Sequence, residues 1–376
     1  PLSGFNFNTV QGFNSNLEID YTKRYDEYKN YVSFQSRLNY SYETQKLRAS
    51  LGFRYKFNNI DDLTIGVNAG TTVEQFNAQD PISRFLNDIS SLAFEDNYIK
   101  LFEKRFIALQ YGQELFNGFR IRTSASFENR KALFNTTNYT TFNRDNKAYT
   151  SNNPIAPTNF ETAPFENHNI LKFKLDGSIR FGQKYLSYPG NKFNITNPKY
   201  PKLNFSYEKG LGATNSDYNF DHFNIQLTQN ISLENKGRFS YNLLSGTFFG
   251  NSELAFMDFK HLNGNQTHVN LEGDYLSRFK NLGYYDLSSS ENYMEYHIEH
   301  DFSGYILGKI PLLNALNYNL IVGAHGFTTK DKTPYQEFSL GVNNIGWGKY
   351  RFLRIDYVRS YQSGFVNDSV LFGISL

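Results

Sequence analysis

The sequence predicts an all-β fold: an antiparallel transmembrane β-barrel of about 16 strands, of the kind that spans an outer membrane. Three observations predict it. Apolar and polar residues alternate almost without pause from Leu17 to Leu376, and a period of two sends successive side chains to opposite faces of a strand. The two faces differ in kind. In residues 46–57, Leu47, Ala49, Leu51, Phe53, Tyr55 and Phe57 oppose Arg48, Ser50, Arg54 and Lys56, as suits lipid outside and a wet, charged lumen inside. Finally, no apolar run approaches the roughly 18 residues of a spanning helix. Mean hydropathy is −0.56, as expected when only every second residue meets lipid.

The alternating segments follow in order. The first outward-facing sets are Leu17/Ile19/Tyr21, Val32/Phe34/Leu38/Tyr40, Leu47 to Phe57, Leu63/Ile65/Val67/Ala69 and Ile107/Leu109/Tyr111/Leu115. The middle sets are Phe119/Ile121/Ala125/Phe127, Leu171/Phe173/Leu175/Ile179/Phe181, Leu203/Phe205/Tyr207, Phe223/Ile225/Leu227/Ile231/Leu233 and Phe239/Tyr241/Leu243/Phe249. The last are Met294/Tyr296/Ile298/Phe302, Leu316/Tyr318/Leu320/Val322/Ala324, Phe338/Leu340/Val342, Leu353/Ile355/Tyr357/Tyr361 and Val370/Phe372/Ile374/Leu376.

Connections sort by length. Asn117-Gly118 and Glu234-Asn235-Lys236-Gly237 carry the chemistry of tight turns. Residues 128–168 and 250–290 are long, polar and irregular. Barrels keep short turns on the periplasmic side and long loops outside. With the last strand ending in the periplasm, 303–315 are expected there, and 128–168 and 250–290 outside. Parity then leaves one outward strand missing at the N-terminus. Residues 5–13 supply it as a short strand, or it lies upstream of Pro1; the second is favoured. A single barrel domain is expected over 1–376.

One stretch within 80–103 breaks the strand period. Asp80-Pro81 reads as an N-cap followed by Pro at the first helical position, and Ile82, Phe85, Leu86, Ile89 and Leu92 fall on one helical stripe. This predicts a short amphipathic helix packed on the barrel rim, with an interfacial or lumen-capping role as the functional alternative.

Composition excludes several functions. There are no cysteines, which removes disulfides, thiol catalysis and thiolate metal sites. A net charge of +2 implies no bulk attraction to nucleic acid. No Gly-x-Ser-x-Gly elbow and no Gly-Lys-Ser/Thr phosphate loop is present. No catalytic, cofactor or metal residue is therefore assigned.

Five spaced texts carry a resemblance: residues 7–13 (FNTVQGF), 97–106 (NYIKLFEKRF), 182–189 (GQKYLSYP), 258–266 (DFKHLNGNQ) and 309–313 (KIPLL). They resemble the Bacteroidota outer-membrane barrels of unassigned function that carry a carboxypeptidase-regulatory-like domain ahead of the barrel. The resemblance implies that this periplasmic domain and further strand-like sequence precede the barrel. More distantly the chain is similar to the BamA-type assembly barrels, although their Arg-Gly-Phe signature is absent from 250–290.

Charged residues of the inner face are the candidate site. Glu295, His297, Glu299 and Asp301 share one face of one strand, with neighbours ~7 Å apart. Arg37, Arg48, Arg54, Arg120, Arg122 and Arg180 have inward parity, and buried charge must be paired. The loop at 250–290 is expected to fold into the lumen, its Lys260, His261 and Arg278 docking on the acidic stripe at Glu295, Glu299 and Asp301. The functional expectation is a non-enzymatic component of an envelope-biogenesis or surface-protein assembly complex. Its expected partners are outer-membrane lipid, lipopolysaccharide and other outer-membrane or periplasmic proteins. The alternative is a channel for small anionic solutes, suggested by the basic lumen.

Overall fold

A computed structural model describes residues 4–25, 30–144, 147–195, 197–214, 218–250 and 253–375. The first half of the chain holds β1 (Phe5–Asn8), β2 (Gly12–Arg24), β3 (Tyr31–Ser41), β4 (Lys46–Lys56), β5 (Thr64–Gln75), α1 (Arg84–Phe94), β6 (Leu101–Phe116), β7 (Phe119–Ala132) and β8 (His168–Arg180). There follow β9 (Lys184–Tyr188), β10 (Asn191–Ile195), β11 (Lys202–Gly212), β12 (Phe220–Ser232), β13 (Arg238–Phe249) and β14 (Val269–Asn270). The last are β15 (Tyr293–Asp301), β16 (Asn319–Thr329), β17 (Lys332–Trp347), β18 (Tyr350–Gln362) and β19 (Phe365–Ile374).

Each strand from β1 to β8 pairs antiparallel with the next. The ladder continues β8–β11–β12–β13–β15 and then strand by strand to β19. Two pieces stand apart: β9 and β10 form their own hairpin, and β14 lies parallel on β19. Among the described residues no register joins β19 to β1 or β2, so the sheet is not closed.

The period of two holds along the ladder. Leu17, Leu51, Leu109, Leu175, Ile225, Leu340 and Phe372 are all exposed, and the opposite parity carries Arg48, Glu128, Glu295, Glu337 and Asp356, all buried. Apolar residues outside and ionisable residues inside reverse the arrangement of a soluble core. The packed apolar interior lies elsewhere, between the long connections and the inner face. Ile170, Phe220 and Phe327 of the wall meet Leu254, Leu262, Phe279 and Leu282 of the 253–292 segment. Phe76 and Phe102 meet Phe256 and Met257.

Some bounds differ from expectation. β16 starts at Asn319, and Leu316 lies in a 3-10 turn. β15 ends before Phe302. Leu376 and Pro1 lie outside the described residues. Phe5–Asn8 form a four-residue strand paired with Gly12–Ser15 of β2. The helix starts three residues later than the Asp80-Pro81 reading. Asp80 takes φ 46° and closes a turn on the Asn77 carbonyl. Pro81 and Ile82 then run inward, Ile82 packing with Val10, Ile99 and Leu101. Ser83 is the N-cap and makes no side-chain cap bond.

Candidate functional site

The candidate site is the charged inner face together with the 253–292 segment laid across it. Strand parity aims Glu295, His297 and Glu299 inward from β15. The same parity aims His325 from β16, Glu337 and Ser339 from β17, and Arg354 and Asp356 from β18. All eight are buried. A carboxylate in so dry a place needs a cation or several donors, and the crossing segment supplies both.

Lys260 Nζ lies 2.6 Å from Glu295 Oε2. Lys280 Nζ lies 2.7 Å from Glu299 Oε1 and 3.0 Å from Asp356 Oδ2, and donates to Ser339 Oγ at 2.9 Å. Glu337 accepts the backbone N–H groups of Lys280 and Asn281 at 2.7 and 2.8 Å and the Tyr335 hydroxyl at 2.7 Å. Arg354 bridges Glu299 and Asp356, and its guanidinium lies 3.6 Å over the ring of Tyr275. The fastening also reaches the far wall. Asp258 accepts from Arg130 of β7 at 3.1 Å and from Lys172 of β8 at 3.1 Å. Burial works to raise the Asp258 carboxyl, but Arg130 and Lys172 outweigh it and hold the group well below the usual carboxylate range. Further along, Phe372 N donates to the His268 carbonyl at 2.9 Å and Tyr275 donates to the Ile374 carbonyl at 3.0 Å. One segment thus touches β7, β8, β15, β17, β18 and β19.

The expected docking residues divide. Lys260 meets Glu295. His261 is buried but turns away from the stripe, bonding Ser288 Oγ and the Phe256 carbonyl at 2.8 Å each. Burial lowers the His261 ring to about 4 despite that carbonyl. Arg278 pairs with Glu272 and donates to the Pro81 carbonyl at 3.0 Å, so Lys280 holds the place expected of Arg278. Among the described residues, none of the segment bonds to Asp301. It accepts from Asn343 at 3.1 Å and from Ser303 N at 2.8 Å. His297 bonds Glu295 at 2.8 Å and meets His325 with 2.9 Å between their Nδ1 atoms, a contact that carries one proton between two nitrogens.

The basic residues also divide. Arg37 pairs with Glu18 at 3.0 Å, Arg48 with Glu103 at 2.8 Å and Arg120 with Asp62. Arg120, Arg122 and Arg180 line a cavity of about 870 Å³ with Lys202. Arg180 and Lys202 are direct cross-strand partners. Among the described residues, no group of three or more His, Asp or Glu side chains is placed to hold a metal ion.

His325, Glu337, Arg354 and Asp356 were missed by sequence reasoning, although the parity that located the stripe on β15 would have located them. Lys280 and Asp258 lie in irregular text and left no periodic signal.

Residues 1–342 match the model described as the C-terminal domain of a family of unknown function (DUF5686). No curated protein matches the chain. Among solved structures, BamA from Haemophilus ducreyi lacking POTRA domains 1–3 is 10% identical with a TM-score of 0.50, the match covering 98% of this chain and 68% of that one. CdiB from Acinetobacter baumannii is 11% identical with a TM-score of 0.43, covering 98% and 57%. A substituted porin of Rh. blastica is 10% identical with a TM-score of 0.37, covering 99% and 94%. At these identities the BamA match speaks to fold alone.

Proposed function

This chain belongs to the DUF5686 C-terminal domain family, and from that premise we propose that it is a non-enzymatic barrel of about 16 strands in the bacterial outer membrane. Its role in this reading is that of a component in an envelope-biogenesis or surface-protein assembly complex. Outer-membrane lipid, lipopolysaccharide and other outer-membrane or periplasmic proteins are its partners. The same reading places it in Bacteroidota, behind a carboxypeptidase-regulatory-like domain. The observation that carries the role is the strapping of 253–292 across the inner face through Asp258, Lys260 and Lys280. A lumen crossed by a fastened segment is poorly suited to free diffusion of solutes. It leaves the outer wall and the two ends as working surfaces.

Gentle purification from native membranes, with identification of what accompanies the protein, tests the role. A stable multi-protein complex is the expected result. A lone barrel that conducts ions freely in planar bilayers would overturn it. The second reading, a channel for small anionic solutes, is favoured by one observation. Arg122, Arg180 and Lys202 face the 870 Å³ cavity, and none of the three is in an ion pair with a described residue.

A further inference from the structure

Helix α1 is built inside out. Asn87 and Ser91 are buried, while Phe85, Ile89 and Phe94 are exposed. A surface helix ordinarily buries its apolar stripe, so this one is held by its polar face. The partner of that face is the free edge of β1. Phe7 N donates to Asp88 Oδ1 at 2.8 Å, Asn6 Nδ2 donates to Asp88 Oδ2 at 3.0 Å, and Asn87 Nδ2 donates to the Phe7 carbonyl at 3.4 Å. The other edge of β1 is on β2. The helix thus occupies the position of a neighbouring strand and is itself a piece of the wall.

The register fixes its height. Phe5 pairs with Ser15, Ser15 with Tyr40 and Tyr40 with Leu47, one continuous row across four strands. Leu47 is 62% exposed on the outward face. Phe7, where the helix is attached, is two residues beyond that row, ~7 Å along the strand. The apolar face of α1 therefore continues the outward apolar belt at its upper margin, where tyrosines and amphipathic helices sit in a bilayer. A second segment widens the patch. Thr141 N and Thr140 Oγ1 both donate to the Leu92 carbonyl at 2.9 Å, and Tyr139 and Phe142 beside them are exposed. The charges are of the matching sign. Arg84 is exposed at the start of the helix, and the Arg144 guanidinium lies 4.7 Å over the Phe94 ring. Asp88 is turned to β1, Glu95 is buried, and Asp96 is paired with Lys147.

We propose that the exposed face of α1, with Tyr139 and Phe142, is a membrane-contact surface seated at the headgroup boundary of the outer leaflet, with Arg84 and Arg144 reaching lipid phosphates. This rests on the membrane-barrel reading. The single tryptophan, Trp347, makes a direct test available. In a Trp347→Phe background, Phe85→Trp and the control Leu51→Trp are purified from membranes and reconstituted in phosphatidylcholine vesicles with brominated acyl chains.

The expected result is quenching of the Phe85→Trp protein by about half or more of the control's extent, stronger for bromines near the headgroup than near the chain end. Quenching of Leu51→Trp alone would overturn the proposal and leave the barrel reading standing. In that case, emission that shifts with protein-to-lipid ratio identifies a second copy as the occupant. No quenching in either variant would remove the membrane reading and this proposal with it.

Discussion

Lys280 and Glu299 meet at 2.7 Å, and the lysine is 1% exposed. One comes from irregular text and the other from β15, so this contact measures how firmly the crossing segment is held. Removing one partner of a buried pair costs about 3–5 kcal/mol, because the other charge stays behind unpaired. Lys280→Met should therefore loosen the segment and raise single-protein conductance in planar bilayers. Arg278→Met should change little, since its partner Glu272 is exposed. Equal effects of the two substitutions would show that Lys280 is not the fastening point.

Deletion of 255–280 should do two things at once. It removes Asp258, Lys260 and Lys280 from the inner face, so conductance should rise several-fold. It also removes the His268 carbonyl and Tyr275 from β19, so heat-modifiable migration on a gel should be lost at a lower temperature. A deletion that conducts no better than the intact protein would show that the segment does not block passage.

Acid should loosen the same segment through His261. Its ring is lowered to about 4 from 6.5, so the docked state binds fewer protons than the released state between those values. Docking is then at full strength above pH 6.5 and weakens as pH falls towards 4, by roughly 3 kcal/mol over the window. Asp258, held far below the usual range, keeps its charge throughout. Conductance should climb on acidification in the native protein and stay flatter in His261→Gln. An unchanged acid response in the variant would assign it to another group.

The outward parity has its own test. Leu51→Arg and Leu320→Arg put a charge at an outward position, at a cost of roughly 2–4 kcal/mol near mid-membrane. Both should reduce the amount of protein assembled in the membrane fraction. Asn68→Arg, on the inner face, should assemble better than either. Indifference at all three positions would contradict the register.

Most of the wall was legible because the two faces of the sheet, one apolar and one charged, follow a rule that repeats every two residues. Leu51 and Phe372 could be placed outside from parity alone, and Glu295 and Arg48 inside. Three things were not legible. The stripe of α1 is legible but the side it faces is not, because its partner is a strand edge whose N–H and C=O groups attract Asn87 and Asp88. A helical stripe does not say what it faces. The substitution of Lys280 for Arg278 depended on the path of an aperiodic loop. The β9–β10 hairpin and the two-residue β14 were too short to show a period.

The contact between Phe372 and His268 ties together two properties that a simple plugged cylinder would keep separate. The segment that fills the interior also satisfies the outermost strand. In the membrane-barrel reading, extracting it would leave the Phe372 N–H and the Ile374 carbonyl without these partners, and a bare backbone group in hydrocarbon costs several kcal/mol. The stopper is therefore also a stave: the vessel cannot be uncorked without loosening its side.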